Sequence, residues 1–88
     1  MRIGTHEVGN GASTYVIAEM SANHAGDINR AKEIIHAAKE AGADCIKIQT
    51  YTPDTLTIDC DNKYFHISDG TGNGENLYKL YEIAYTPW

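Results

Sequence analysis

Between Tyr15 and Thr50 the chain runs through an apolar stretch, an amphipathic stretch and a second apolar stretch, with short connections. This order constrains the fold more than any other feature of the sequence. Tyr15-Val16-Ile17-Ala18 is rich in β-formers and too short for a helix, which predicts a buried strand. A polar loop of small residues, Ser21-Ala22-Asn23-His24-Ala25-Gly26, follows. Asp27 then offers a carboxylate to the orphan N–H groups and positive dipole end of a helix start. Ile28, Ala31, Ile35 and Ala38 recur at helical spacing, joined by Ile34 and Ala41. Arg30, Lys32, Glu33, Lys39 and Glu40 fill the wet side. Gly42 stands where a left-handed glycine stop belongs. Ala43-Asp44-Cys45-Ile46-Lys47-Ile48-Gln49-Thr50 reads as the second strand. Strand, helix and strand with short links predict a right-handed βαβ unit, hence an α/β fold with a parallel sheet.

The flanks are less regular. Residues 1–14 carry Gly4, Gly9 and Gly11 and predict a short N-terminal hairpin. Residues 51–76 are polar, with Pro53, Asp59, Asp61, Asp69 and the glycines Gly70, Gly72 and Gly74. They predict an irregular loop of the kind that is functional or disordered. Leu77, Leu80, Tyr81 and Ala84 predict a short helix. Thr86 and Pro87 form a helix-start pair, so Trp88 would open a helix that is not present in the chain. Parallel strands also want neighbours on both sides. The expectation is therefore a truncated piece of a larger sheet, residues 1–88 being the N-terminal part of an incomplete domain.

Composition excludes some functions. Seven Lys and Arg stand against twelve Asp and Glu, for a net charge of −5. The basic residues are scattered, which argues against nucleic acid and anionic membrane as partners. No apolar run is long enough for a membrane span or a secretory signal. Cys45 and Cys60 lack metal-ligand spacing, so free thiols and a cytoplasmic location are expected.

Alternation along a strand puts Lys47 and Gln49 on one face and Ile46 and Ile48 on the other. It likewise pairs Ile17 with Glu19, and Val16 with Ala18. If the fold is a parallel barrel, the isoleucines at 46 and 48 meet the outer helices. Glu19, Lys47 and Gln49 then converge on the interior, at the strand ends where barrel active sites lie. The plainer alternative is a structural ion pair between Glu19 and Lys47, which adds little net stability when buried. Asn23 and His24 fall in the first βα loop, and a turn-bracing role for His24 outweighs metal ligation. His6, His36 and His66 offer it no ligand spacing. Tyr51 is a candidate pocket wall. Tyr78, Tyr81 and Tyr85 share a helix face and are expected to pack. His36 is expected at the surface or in a packing role.

Ile17-Ala18-Glu19-Met20-Ser21-Ala22-Asn23-His24-Ala25-Gly26 resembles the first strand and loop of the sialic acid synthase family. Ala41-Gly42-Ala43-Asp44 and Ile46-Lys47-Ile48-Gln49-Thr50 resemble its second strand. The resemblance covers most of residues 15–88. Thr50–Thr57, Cys60-Asp61-Asn62 and Ala84–Trp88 are similar to the branch that makes pseudaminic acid. The resemblance implies the first βαβ portion of a (β/α)8 TIM barrel. It implies condensation of phosphoenolpyruvate with an amino-sugar aldehyde, here 2,4-diacetamido-2,4,6-trideoxy-L-altrose, with release of phosphate. The N-acetylneuraminate and legionaminic acid branches are the alternatives.

By position, the resemblance implies that Glu19 is the catalytic carboxylate near the acceptor. Lys47 binds phosphoenolpyruvate, Gln49 contacts hydroxyl or amide groups, and Asn23 and His24 support the loop. It also implies a divalent metal (Mn, Mg or Co) and a homodimer in the full-length enzyme. The metal ligands and most of the phosphate-binding residues lie outside these residues, so no metal ligand is assigned here. A (β/α)8 barrel needs about 200 residues or more, and the 88-residue chain is expected to be inactive alone. A non-catalytic remnant that acts only by assembly is the competing expectation.

Overall fold

The central unit is a parallel pair of strands bridged by one helix, built as the hydrophobic pattern predicts. In the computed structural model, residues 1–70 and 74–88 are described. A two-stranded antiparallel ribbon, β1 (Arg2–Ile3) and β2 (His6–Glu7), opens the chain, with Arg2 opposite Glu7 and Ile3 opposite His6. Strand β3 (Ile17–Glu19) pairs in parallel with β4 (Cys45–Lys47), Ile17 facing Cys45, Ala18 facing Ile46 and Glu19 facing Lys47. Helix α1 (Ile28–Glu40) connects them; α2 (Pro53–Leu56) and α3 (Leu77–Ala84) follow.

Both ends of α1 are set by local chemistry. The Asp27 carboxylate accepts from the amides of Asn29 at 2.8 Å and Arg30 at 3.4 Å. At the other end Gly42 N–H donates to the Lys39 carbonyl at 3.1 Å, and Ala43 N–H to the Ala38 carbonyl at 3.0 Å. This pair of bonds is a Schellman stop. Gly42 has φ of +92°, and a Cβ added there would meet nothing within 4 Å. Gly42→Ala should therefore cost only the left-handed backbone penalty, about 1–2 kcal/mol. Chemical denaturation of the full-length protein tests this, and an unchanged midpoint would refute it.

The strands are shorter than the sequence predicts. The expected second strand, 43–50, is a ladder only over Cys45–Lys47, because each strand has one neighbour and pairing stops where that neighbour turns away. Flanking bonds extend the join: Asp44 N–H and Cys45 N–H donate to the Val16 carbonyl, and Met20 N–H donates to the Lys47 carbonyl at 3.0 Å. The Asp44 carboxylate accepts from the Val16 amide at 2.8 Å. Helix α1 covers the face that carries Ile46, Ile35 and Ala38 lining a common crevice. The opposite face, with Ile17, Glu19, Cys45 and Lys47, is uncovered.

Little of the apolar surface is enclosed. Among the described residues Met20 is the one buried apolar side chain, 1% exposed, while Val16, Ile17 and Ile48 are each about half exposed. The radius of gyration, 16.6 Å, exceeds the roughly 12 Å of a self-contained domain of this length. The apolar faces of this unit thus lack the cover that a parallel sheet requires.

Within the stretch predicted to be an irregular loop, 51–76, the described residues 51–70 and 74–76 carry more order than the sequence suggested. Thr52 N–H donates to Thr55 Oγ1, whose hydroxyl donates to the Thr52 carbonyl at 2.8 Å, and Pro53 opens α2. His66 bridges to Asn76 in antiparallel fashion, and Leu77 N–H donates to the Phe65 carbonyl at 2.8 Å. Gly72 lies outside the described residues. Asn76, buried, accepts from the Lys79 amide and caps α3. The Tyr78 hydroxyl donates to Asp54 at 3.0 Å and ties α3 to α2.

Asp61 hydrogen-bonds His66 on this loop. That bond, then the His66 charge, holds the Asp61 carboxyl below its ordinary value of 3.8, assisted by Asn76 and Lys79 against partial desolvation. A lowered folded value means that the contribution is complete above 3.8 and is lost as pH falls through the folded value. Carboxyl NMR of the full-length protein should give an Asp61 midpoint under 3.8 that rises in His66→Ala. A midpoint at or above 3.8 would contradict this.

Candidate active site

Glu19 and Lys47 end neighbouring parallel strands in direct register. Period-two alternation therefore points both side chains to the uncovered face. Lys47 Nζ donates to Glu19 Oε1 at 2.8 Å, and both side chains are about half exposed, at 51% and 53%. An ion pair this open to water stabilises a fold by about 1 kcal/mol at most. The fold gains little from it, and a charged pair presented at the C-terminal edge of parallel strands can meet an anionic ligand through Lys47 and a proton-bearing group through Glu19.

Gln49 is placed differently from this pair. Strand β4 ends at Lys47, and half-buried Gln49 lines a shallow depression with Ile48, Thr50, Tyr51, Leu56 and Tyr81. Its carbonyl accepts from the Thr86 amide at 2.9 Å. Tyr51 stands in the same depression, edge-on to Tyr81 at 5.7 Å and tilted against Tyr85 at 6.1 Å. Partial desolvation, then neighbouring Tyr81, pushes the Tyr51 phenol up, so it is a neutral hydrogen-bond donor at physiological pH. Tyr81 and Tyr85 thus pack on Tyr51, the role expected of them, although Tyr85 follows the end of α3 in extended backbone rather than sharing its helix face. His36 is exposed.

The loop after β3 is tied by several hydrogen bonds. Asn23 donates to the Met20 carbonyl through both its amide N–H, at 3.1 Å, and its side-chain Nδ2, at 2.9 Å. His24 is 3% exposed. Its Nδ1 accepts from the Gly26 amide at 2.9 Å. An amide cannot accept in return, so the ring proton sits on Nε2, which donates to Thr86 Oγ1 at 3.1 Å. His24 braces the turn, the role that its isolation from other ligand-type residues favoured. Ser21 and Ala25 hold φ of 51° and 52°, a left-handed backbone that costs non-glycine residues energy and often marks functional loops. The sequence carried no sign of this, because neither residue is a glycine or asparagine. Thr86 was legible only as a helix cap. Its hydroxyl and amide join the loop after β3 to the tail of β4.

Among the described residues, no three or more His, Cys, Asp or Glu side chains converge as a metal site. Cys45 and Cys60 are free thiols. No helix among the described residues is long and apolar enough to cross a membrane.

Comparison with known proteins agrees with the motif blocks around these residues. The chain is 55% identical over 74 residues to pseudaminic acid synthase of Campylobacter jejuni, covering 84% of this chain and 22% of that protein. It is 50% identical over 72 residues to pseudaminic acid synthase of Helicobacter pylori, covering 82% and 21%. It is 50% identical over 48 residues to N,N'-diacetyllegionaminic acid synthase of Legionella pneumophila, covering 54% and 14%. The chain spans about a fifth of the length of the two pseudaminic acid synthases. The model of the NeuB family matches residues 34–88, and with the relatives it establishes that this α/β chain belongs to the NeuB family.

Proposed function

We propose that the chain is the N-terminal part of a nonulosonic acid synthase, the opening βαβ portion of a (β/α)8 barrel. The reaction joins phosphoenolpyruvate to 2,4-diacetamido-2,4,6-trideoxy-L-altrose. The observation that carries this reading is the Glu19–Lys47 pair, 2.8 Å apart on the uncovered face at the C-terminal edge of two parallel strands. The identity to two pseudaminic acid synthases over more than four-fifths of the chain supports it.

In this reaction a bond forms between C3 of phosphoenolpyruvate and the aldehyde carbon, whose oxygen takes a proton. Water adds at C2 and loses a proton; as the C2–O bond to phosphate breaks, the new C2 hydroxyl gives up its proton, leaving a ketone at C2 and hydrogen phosphate. The Lys47 ammonium offsets the negative charge of phosphoenolpyruvate. Glu19 accepts or orients a proton at the acceptor or at the water. Gln49 and Tyr51 offer hydrogen bonds to hydroxyl and amide groups of the sugar.

A divalent metal (Mn, Mg or Co) belongs to the same reading, as do a homodimer and a cytoplasmic location. The described residues contain no ligand cluster for such a metal, so no step here is routed through it.

The Legionella relative favours a second reading, in which the acceptor is the legionaminic acid precursor. Phosphate release by the full-length protein, assayed with phosphoenolpyruvate and each acceptor including N-acetylmannosamine, decides between them. Turnover fastest with the altrose derivative is the expected result. Preference for the legionaminic precursor supports the second reading, and no release with any of the three overturns both.

A further inference from the structure

We propose that Thr86 is a positioning residue for the Glu19–Lys47 site, acting through His24 on one side and Gln49 on the other. Three hydrogen bonds form a continuous chain. The Thr86 amide donates to the Gln49 carbonyl at 2.9 Å. Thr86 Oγ1 accepts from His24 Nε2 at 3.1 Å. His24 Nδ1 accepts from the Gly26 amide at 2.9 Å. His24 and Thr86 are separated by 62 positions, so this contact fixes the loop that leaves β3 just after Glu19 against the residues that leave β4 just after Lys47.

Burial makes the contact discriminating. His24 is 3% exposed, so water does not readily replace Thr86 as the acceptor of its ring proton. Buried donors that lose a partner keep the full desolvation cost. The Gly26 amide selects the Nε2–H tautomer, since only a ring with a bare Nδ1 can accept from it, and Thr86 then receives the Nε2 proton. The left-handed backbone at Ser21 and Ala25 lies within the same loop, where strain persists only if the surroundings hold it. Thr86 supplies one of those constraints, from outside the loop itself.

The kinetic part of this inference rests on the proposed synthase activity, whereas the tautomer part does not. Nitrogen-15 NMR of the full-length protein at neutral pH should show His24 as the neutral Nε2–H tautomer. In Thr86→Val, which keeps the shape and the amide but removes the acceptor, the Nε2 proton should exchange faster with solvent. The same variant should lower kcat about tenfold or more, because small displacements of reacting groups are costly. Thr86→Ser, which restores the acceptor, should return kcat to within about twofold of the parent. An Nδ1–H or doubly protonated ring in the parent protein would overturn the inference. So would equal kcat in the parent and Thr86→Val, or a Thr86→Ser variant as impaired as Thr86→Val. If the parent protein releases no phosphate, the synthase reading fails, and the tautomer and exchange measurements still decide the contact.

Discussion

Lys47→Ala in the full-length protein is expected to lower phosphate release by about 10²–10³-fold, the usual consequence of removing one preorganised charge from a reacting anion. Two effects add in the same direction. The ammonium that would offset the charge of phosphoenolpyruvate disappears. The Glu19 carboxylate, held at 2.8 Å in the parent chain, is left without its counter-ion on the face where the proposed reaction would bind the anion. Stability should hardly change, because an ion pair with both partners half exposed contributes about 1 kcal/mol at most. Activity and stability are therefore expected to separate. Lys47→Met, which keeps much of the apolar stem, should be as inactive as Lys47→Ala. Near-parental turnover in either variant would remove Lys47 from the site, and an unfolded Lys47→Met would make it structural.

Met20→Ala is expected to have the opposite profile, with a loss of about 2–5 kcal/mol in stability. Met20 is the buried apolar side chain among the described residues, 1% exposed. It follows Glu19 directly, its amide is bonded to the Lys47 carbonyl, and its own carbonyl takes both donors of Asn23. Truncation would thus open a void where the strand pair, the loop and the site residues meet. Met20→Leu nearly conserves volume and should cost less than about 1.5 kcal/mol. Equilibrium denaturation of the full-length protein measures both variants. Equal midpoints for Met20→Ala and the parent would show that the surroundings collapse around the smaller side chain, contrary to this expectation.

The part of the molecule governed by near neighbours in the chain was legible before any coordinates. Asp27 caps α1, Gly42 stops it, and the period-two alternation sets Glu19 and Lys47 on one face, because capping and pleating act over a few residues. What a local signal does also depends on partners elsewhere in the chain. Thr52-Pro53 and Thr86-Pro87 carry the same helix-start pattern. The first opens the short α2, held by the Tyr78–Asp54 bond from α3. The second is used for contacts with Gln49 and His24.

Strand length and loop order followed the same division. An apolar run reads as a strand over 43–50, yet ladder bonds exist only where a neighbour lies alongside, over Cys45–Lys47. The stretch between α2 and α3 looked structureless because its ordering bonds join residues around His66 to others around Asn76. Local sequence thus sufficed for the helix, its caps, the parallel order of the strands and the shared face of Glu19 and Lys47. The register that brings those two side chains into contact, the left-handed backbone of the loop beside them and the junction at Thr86 arose from tertiary structure, since each depends on hydrogen bonds or packing between residues far apart in the chain.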